Sequence, residues 1–379
     1  MIYLDYSATT MPNEEVLNSY IKTSKGFIGN PNSLHTLGVK SNDLINAATK
    51  QIADIFKIKT NEIIYTSGAS ESNNHAIKGI VESYKNRGKH IITTNFEHSS
   101  IYGPLNYLTS LGYDVDFVDT DEFGKIDVLK LKELITEDTV LVTVGAVNSE
   151  IGIIQDINKI SKIIKEKNPK TFFHVDYTQA IGKMKVNFDN VDMASLSAHK
   201  FFGLKGIGIL YKKENIKLEP LIHGGKSTTV YRSGTPALPL IVSTAKALRL
   251  ATMEIDKNYK LVNDFNKYLR NELKEIEGLY INSPEDALPF ILNISLPGIK
   301  PETMLHALEK HEIYISTQTA CSSSNSSSLA VMSLTNDKQR ANSSIRISIS
   351  YITTKEELNK FIEILKKCIK ELTFKWENQ

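Results

Sequence analysis

Phe173-His174-Val175-Asp176-Tyr177-Thr178-Gln179 and Ser195-Leu196-Ser197-Ala198-His199-Lys200 decide how this chain is read. Each begins in a short, mainly apolar run, Thr171–Val175 and Met193–Leu196, and ends on polar residues with chemistry to offer. Moving outward, runs of the same size recur at Glu62–Thr66, His90–Thr94, Asp114–Val118, Val140–Val144 and Gly206–Tyr211. Between most of them lie stretches of helical periodicity: Glu71–Tyr84, Ser99–Leu111, Val128–Ile135 and Asn158–Lys167. Strands alternating with helices predict an α/β fold, a mainly parallel seven-stranded sheet flanked by helices. In such sheets ligands bind at the loops beyond the carboxyl ends of the strands.

After Pro239 the pattern changes. One long helical region, about Leu240 to Ile276, is expected to carry the chain into a smaller α+β unit. The strands of that unit are read at Phe290–Ser295 and Ser344–Ser350, its helices at Glu302–His311 and Lys355–Phe374. The last helix sets Leu358, Phe361, Leu365, Cys368 and Leu372 on one apolar stripe, which makes Cys368 a core residue. Ser322–Ser328, six serines in seven residues, reads as a mobile loop.

At roughly 100–200 residues per domain, 379 residues suggest two domains or three. Lys+Arg 45 against Asp+Glu 43 gives neither nucleic acid nor an anionic membrane a bulk electrostatic attraction. Two cysteines, Cys321 and Cys368, cannot build a disulfide framework or an all-cysteine zinc site, so a reducing compartment is expected. The start, Met1-Ile2-Tyr3-Leu4-Asp5, does not read as a secretory signal. No stretch reaches the roughly 20 apolar residues that span a bilayer, and the expected location is cytoplasmic.

Asp176 closes one strand and Lys200 follows the next. That pair suits pyridoxal phosphate: a lysine holds the cofactor as a Schiff base, and a carboxylate keeps the pyridine nitrogen protonated. On spacing alone the two also suit a surface lysine and a capping aspartate. Ile64-Tyr65-Thr66-Ser67-Gly68-Ala69-Ser70-Glu71 runs from strand through a small-residue turn into a helix, where amides and a hydroxyl can cradle a phosphate or simply cap the helix. Asn95-Phe96-Glu97-His98 brings an imidazole to another strand end, fit to stack on a flat cofactor and move protons. The weight lies in the combination: suitable groups stand in order at successive strand ends.

The chain resembles the cysteine desulfurases of the NifS/IscS type, in the class V aminotransferase group of fold type I pyridoxal phosphate enzymes. The matching stretches run almost end to end. They are Tyr3-Leu4-Asp5-Tyr6-Ser7-Ala8-Thr9-Thr10, Gly29-Asn30-Pro31-Asn32-Ser33 with His35, Thr66–Glu71, Glu97-His98, Val147-Asn148-Ser149-Glu150-Ile151-Gly152, His174-Val175-Asp176, Ser197–Lys200, Arg232-Ser233-Gly234-Thr235, Ala320-Cys321 and Ser344-Ile345-Arg346. The resemblance implies Lys200 as the Schiff-base lysine, Asp176 as the pyridinium partner, Gln179 on the phenolic oxygen and His98 on the ring. Ala69, Ser70, Ser197 and His199 would hold the phosphate, and Thr235 would reach it from a neighbouring subunit, implying a homodimer. Asn148 and Arg346 would grip the substrate carboxylate. Cys321 would attack the sulfur of L-cysteine as a thiolate, leaving L-alanine and an enzyme persulfide for an acceptor protein. The acceptors so implied serve tRNA 4-thiouridine and thiazole (thiamine) synthesis or iron–sulfur cluster biosynthesis. The division implied is a large cofactor domain, 13–255, and a small one, 1–12 with 256–379, carrying a mobile cysteine loop at about 316–336.

Three departures stand out. Ser316-Thr317-Gln318-Thr319-Ala320-Cys321 has Gln318 where the family usually has glycine, as in a Gram-positive branch that serves tRNA thiolation and thiazole synthesis. Lys226-Ser227-Thr228 replaces a usual Gln/His-Glu pair, and Ser70 stands where Thr is commoner. Gly225-Lys226-Ser227 is no phosphate-binding loop of the NTPase kind, because the glycine required five positions earlier is Pro220. His306 and His311 fall on different helix faces, so no metal site is expected. The rival readings are another class V enzyme, an aminotransferase or selenocysteine lyase, and a noncatalytic sulfur-relay scaffold that kept the fold. Lys200, Asp176, His98 and Arg346 are all present, which a scaffold would not need.

Overall fold

In the computed structural model, residues 1–317 and 327–377 are described. The strands run β1 (Ile2–Tyr3), β2 (Ile63–Thr66), β3 (His90–Thr93), β4 (Asp114–Phe117), β5 (Thr139–Gly145), β6 (Phe172–Asp176), β7 (Met193–Ser197) and β8 (Gly208–Lys212). They continue with β9 (Tyr280–Ile281), β10 (Ile291–Ser295), β11 (Ile313–Tyr314) and β12 (Ser344–Ser348). The main sheet has seven strands in the order β2-β8-β7-β6-β5-β3-β4. Only β8 runs against the others. The expected α/β architecture is therefore the observed one.

Side-chain alternation explains why these runs read as continuous apolar stretches. Ile91, Leu141, Phe172 and Met193 enter one buried cluster, with Ile77 and Ile101 from the helices Ala69–Ser83 and Ser99–Ser110. Their neighbours Ile92, Val142, Phe173 and Ala194 enter the other, against Ile52, Ile160 and Leu248 from helices on the opposite face. Covered on both faces, a strand has no polar side to show.

Outside the main sheet lie the antiparallel sheet β12-β10-β9 and the parallel pair β1-β11. Leu358, Phe361, Leu365 and Cys368 of the final helix Lys355–Glu377 are buried, as the stripe predicts. The long helix expected over Leu240–Ile276 is instead two, Leu238–Met253 and Ile255–Lys274, because Glu254 leaves helical geometry at φ −119°, ψ 29°. The segment 316–336, expected as one loop, includes the helix Leu329–Thr335. Ser328 caps it, accepting from the Val331 amide at 3.1 Å.

Candidate active site

Because β2, β3, β5, β6 and β7 share one direction, their carboxyl ends meet at one edge of the sheet. There a cavity of about 410 Å³ opens, lined among others by Gly68, Ser70, His98, Asp176, Lys200 and Arg346. Ala69, Gln179, Ser197 and His199 also line it. Nine residues singled out in four stretches of the sequence are thus joined by Arg346 of β12.

Asp176 ends β6 with both carboxylate oxygens anchored. Oδ1 accepts from the Thr178 amide at 2.9 Å and Oδ2 from Asn73 Nδ2 at 2.8 Å. Asn73 Nδ2 also donates to Ser100 Oγ at 2.8 Å, and Ser100 Oγ lies 2.8 Å from His98 Nδ1. His98 is the N-cap of Ser99–Ser110, its Nδ1 accepting from the Ser100 amide at 3.1 Å. Since Nδ1 is the acceptor, the neutral ring carries its proton on Nε2. Burial holds His98 below the usual imidazole range; Asp176 opposes that and Lys200 reinforces it. Asn73 and Ser100 went unread in the sequence, although Asn73 lies one turn beyond Ser70 on the same helix.

Lys200 sits on the single turn Ala198–Lys200 after β7, and its Nζ donates to the carbonyls of Ser7 and Ala8 at 2.6 and 2.7 Å. His199 is pushed down to about 4, first by burial and then by Lys200, Lys205 and Lys183, and its Nδ1 lies 3.1 Å from Thr9 Oγ1. The N-terminal segment thereby becomes one wall of the site.

Arg346 is almost wholly buried. Its guanidinium donates to Asp5 Oδ1 at 2.8 Å and to the Ser149 carbonyl at 2.9 Å, while Nε is buried without a partner among the described residues. Asn148 does not meet it directly. Its Nδ2 donates to the Phe96 carbonyl at 2.9 Å, and its Oδ1 accepts from the Glu150 and Ile151 amides at 2.9 and 2.8 Å. The amide thus shapes the loop that carries Ser149.

Thr235 stands apart, exposed beside a separate small cavity with Arg232 and Ser67. Arg232 itself is paired with Glu71 at 3.0 Å. Cys321 and Gln318 lie outside the described residues. Among the described residues no group of three or more His, Cys, Asp or Glu side chains could hold a metal ion.

Residues 2–361 match the family described as Aminotransferase class-V. The chain is 38% identical over 376 residues to a "Cysteine desulfurase IscS" of Dictyoglomus turgidum, covering 98% of this chain and 95% of that one. Among solved structures, a "NIFS-LIKE PROTEIN" superposes with a TM-score of 0.92 at 35% identity, covering 98% of this chain and 99% of the other. A structure titled "SspA in complex with cysteine" gives a TM-score of 0.80 at 30% identity, over 93% of this chain and 100% of that one.

Proposed function

The chain belongs to the class V aminotransferase family as a pyridoxal-phosphate-dependent cysteine desulfurase, and from that premise we propose how its own residues divide the work. The residues fit the cofactor. A Cβ on Gly208 would come within 2.6 Å of the Gly68 carbonyl carbon, so β8 closes against the turn that opens the helix Ala69–Ser83. That helix start has no side-chain cap, which leaves its first amides for a phosphate, with the Ser70 and Ser197 hydroxyls beside them, the latter held only by a long 3.4 Å hydrogen bond to the Ile207 carbonyl. Thr178 Oγ1 and Arg346 Nε are buried without partners among the described residues, as expected of groups that await a ligand.

When bound, pyridoxal phosphate supplies an electron-accepting ring that weakens bonds around the substrate's α-carbon. Lys200 would hold it covalently, Asp176 would pair with the pyridine nitrogen, Gln179 with the phenolic oxygen, and Ala69, Ser70, Ser197 and His199 would hold the phosphate. Thr235 completes the phosphate site of a partner subunit in a homodimer. Arg346 takes the substrate carboxylate, steadied by the Ser149 carbonyl that Asn148 positions. His98, with its proton on Nε2, and Lys200 move protons. Cys321 attacks the substrate sulfur as a thiolate: the S–S bond of a persulfide forms as the substrate's Cβ–S bond breaks, and the electron pair stays on carbon, which takes a proton to become the alanine methyl. The persulfide sulfur passes to an acceptor protein, of the tRNA-thiolation and thiazole-synthesis kind in view of Gln318. We place this chemistry in the cytoplasm; no helix among the described residues is long and apolar enough to cross a membrane. The domain division follows the same reading, 13–255 for the cofactor and 1–12 with 256–379 for the small unit.

The observation that carries the reading is the meeting of Asp176, His98, Lys200 and Arg346 in one cavity. Purified protein loaded with pyridoxal phosphate and given L-cysteine with an excess of a dithiol reductant, which reduces the enzyme persulfide to thiol and sulfide, is expected to yield alanine and sulfide in equal amounts. Cys321→Ala is expected to lower alanine formation at least about 100-fold, the scale on which catalytic nucleophiles act. Alanine formation unchanged by Cys321→Ala sinks the nucleophile assignment and favours the other class V chemistries.

A further inference from the structure

Four residues after Gln179, in the turns that follow β6, the chain buries Lys183 at 6% exposure. Its neighbours in sequence are Ile181, Gly182 and Met184. No carboxylate pairs with it among the described residues, and the charged groups acting on it, Lys200 and Arg346, are both cationic. They add to burial in driving its ammonium well below the usual lysine range. An apolar side chain of similar length would fill this position with less desolvation, so packing does not account for a lysine here.

Its geometry does. Lys183 Nζ donates to Gln179 Oε1 at 2.7 Å, and Gln179 Nε2 donates to the Ser7 carbonyl at 2.9 Å. The same Ser7 carbonyl receives Lys200 Nζ at 2.6 Å. A lysine nitrogen offers N–H donors and a carbonyl can only accept, so the two partners select one of the two amide orientations. One N–H of Gln179 is then left for the cavity.

We propose that Lys183 is a positioning residue: through Gln179 Oε1 it fixes the amide so that Nε2 faces both the Ser7 carbonyl and the oxygen substituent of the cofactor ring. This rests on the reading of the site as a pyridoxal phosphate site. A hydrogen bond donated to that ring oxygen disfavours its protonation. Loss of the alignment therefore raises the pH at which the visible absorbance of the bound cofactor changes.

The test uses holoenzyme reconstituted with pyridoxal phosphate and reads the pH midpoint of its visible absorbance, kcat and KM for L-cysteine, and thermal unfolding. Lys183→Met removes the donor and a desolvated charge. It is expected to raise the midpoint by about 0.5 pH unit or more and lower kcat about 5–10-fold, with KM within about twofold. Lys183→Leu, of different shape and equally without a donor, is expected to move the midpoint the same way. Lys183→Gln keeps an N–H donor and is expected to lie nearer wild type. On a Gln179→Ala background, Lys183→Met should add less than about a third of its effect, because the pair acts as one unit. A midpoint unmoved by both Lys183→Met and Lys183→Leu, or a full effect that persists without the Gln179 amide, overturns the proposal. Wild-type protein that takes up no cofactor would overturn the site reading itself, a separate result.

Discussion

Burial lifts the Glu97 carboxyl to about 8, and nearby Asp176 adds to the rise against hydrogen bonds from Thr94 and the Gly145 backbone. At neutral pH the group is therefore mainly a protonated acid beside His98, with Thr94 Oγ1 2.6 Å from its Oε1. The sign of the linkage follows. Folding raises the affinity for this proton, so the folded state holds more protons than the unfolded chain between about 4.3 and about 8. Stability from this group is fully present below the lower value and falls as pH rises through the upper one. Glu97→Gln preserves shape and removes the titration. Thermal unfolding of the apoprotein between pH 5 and 9 should show wild type losing more stability than Glu97→Gln. The expected difference is about 2 kcal/mol, less than the full shift implies because the carboxyl faces a cavity that water can enter. Parallel curves for the two proteins would remove Glu97 from the account. The sequence drew the eye to His98 and passed over Glu97, since a residue's environment, not its type, makes a carboxyl an acid at neutral pH.

Whole elements were legible where their burial is simple. The inner strands of the main sheet are covered on both faces, so β5 and β6 appear in the sequence as nearly unbroken apolar runs, whereas the edge strand β4 is largely exposed. The helices Glu14–Gly26 and Thr36–Phe56 were not legible. The first buries only Val16 and Thr23, and the second opens with Gly38 in its first turn; both gain their order from the helix Leu238–Met253 against which they pack. A single long helix was expected across Leu240–Ile276 because Glu254 carries no breaker signal, yet the backbone turns there. The turn between β2 and its helix was legible in composition, but its closeness to β8 was not. Gly208 and Gly68 are brought together by pairing of β2 with β8. Gly208→Ala would drive a methyl to 2.6 Å from backbone that cannot yield as a side chain can. The expected result is a loss of about 2 kcal/mol in apoprotein stability and retention of pyridoxal phosphate weakened about 10-fold or more. Equilibrium dialysis against the cofactor measures the second effect, and wild-type retention would mean that this turn does not form the phosphate cradle.

At the scale of the whole molecule, the N-terminal segment meets the C-terminal part of the chain at Arg346, and no local pattern could announce it. β1 pairs with β11, the Ser348 amide donates to the Leu4 carbonyl at 2.7 Å, and Asp5 binds Arg346, 341 residues away. Arg346 also donates its backbone amide to the Ser316 carbonyl at 2.7 Å, at the base of the segment that leads to Cys321. The guanidinium that would take the substrate carboxylate is thus held in advance by a carboxylate of the protein. Two opposing terms follow. Asp5 neutralises a buried cation, and removing that charge destabilises the free protein. Asp5 also repels a second carboxylate that approaches the same guanidinium. Asp5→Asn keeps an acceptor oxygen, so the orientation of Arg346 is retained and the charge terms dominate. The variant holoenzyme is expected to be less stable than wild type by about 1–3 kcal/mol, and saturating L-alanine, whose carboxylate supplies the missing charge, should recover part of that loss. The rise in unfolding temperature caused by L-alanine should therefore be larger in Asp5→Asn than in wild type. KM for L-cysteine should fall about two- to fivefold, in proportion to the repulsion relieved. Equal L-alanine shifts in the two proteins, together with an unchanged KM, would mean that the substrate carboxylate does not share Arg346 with Asp5.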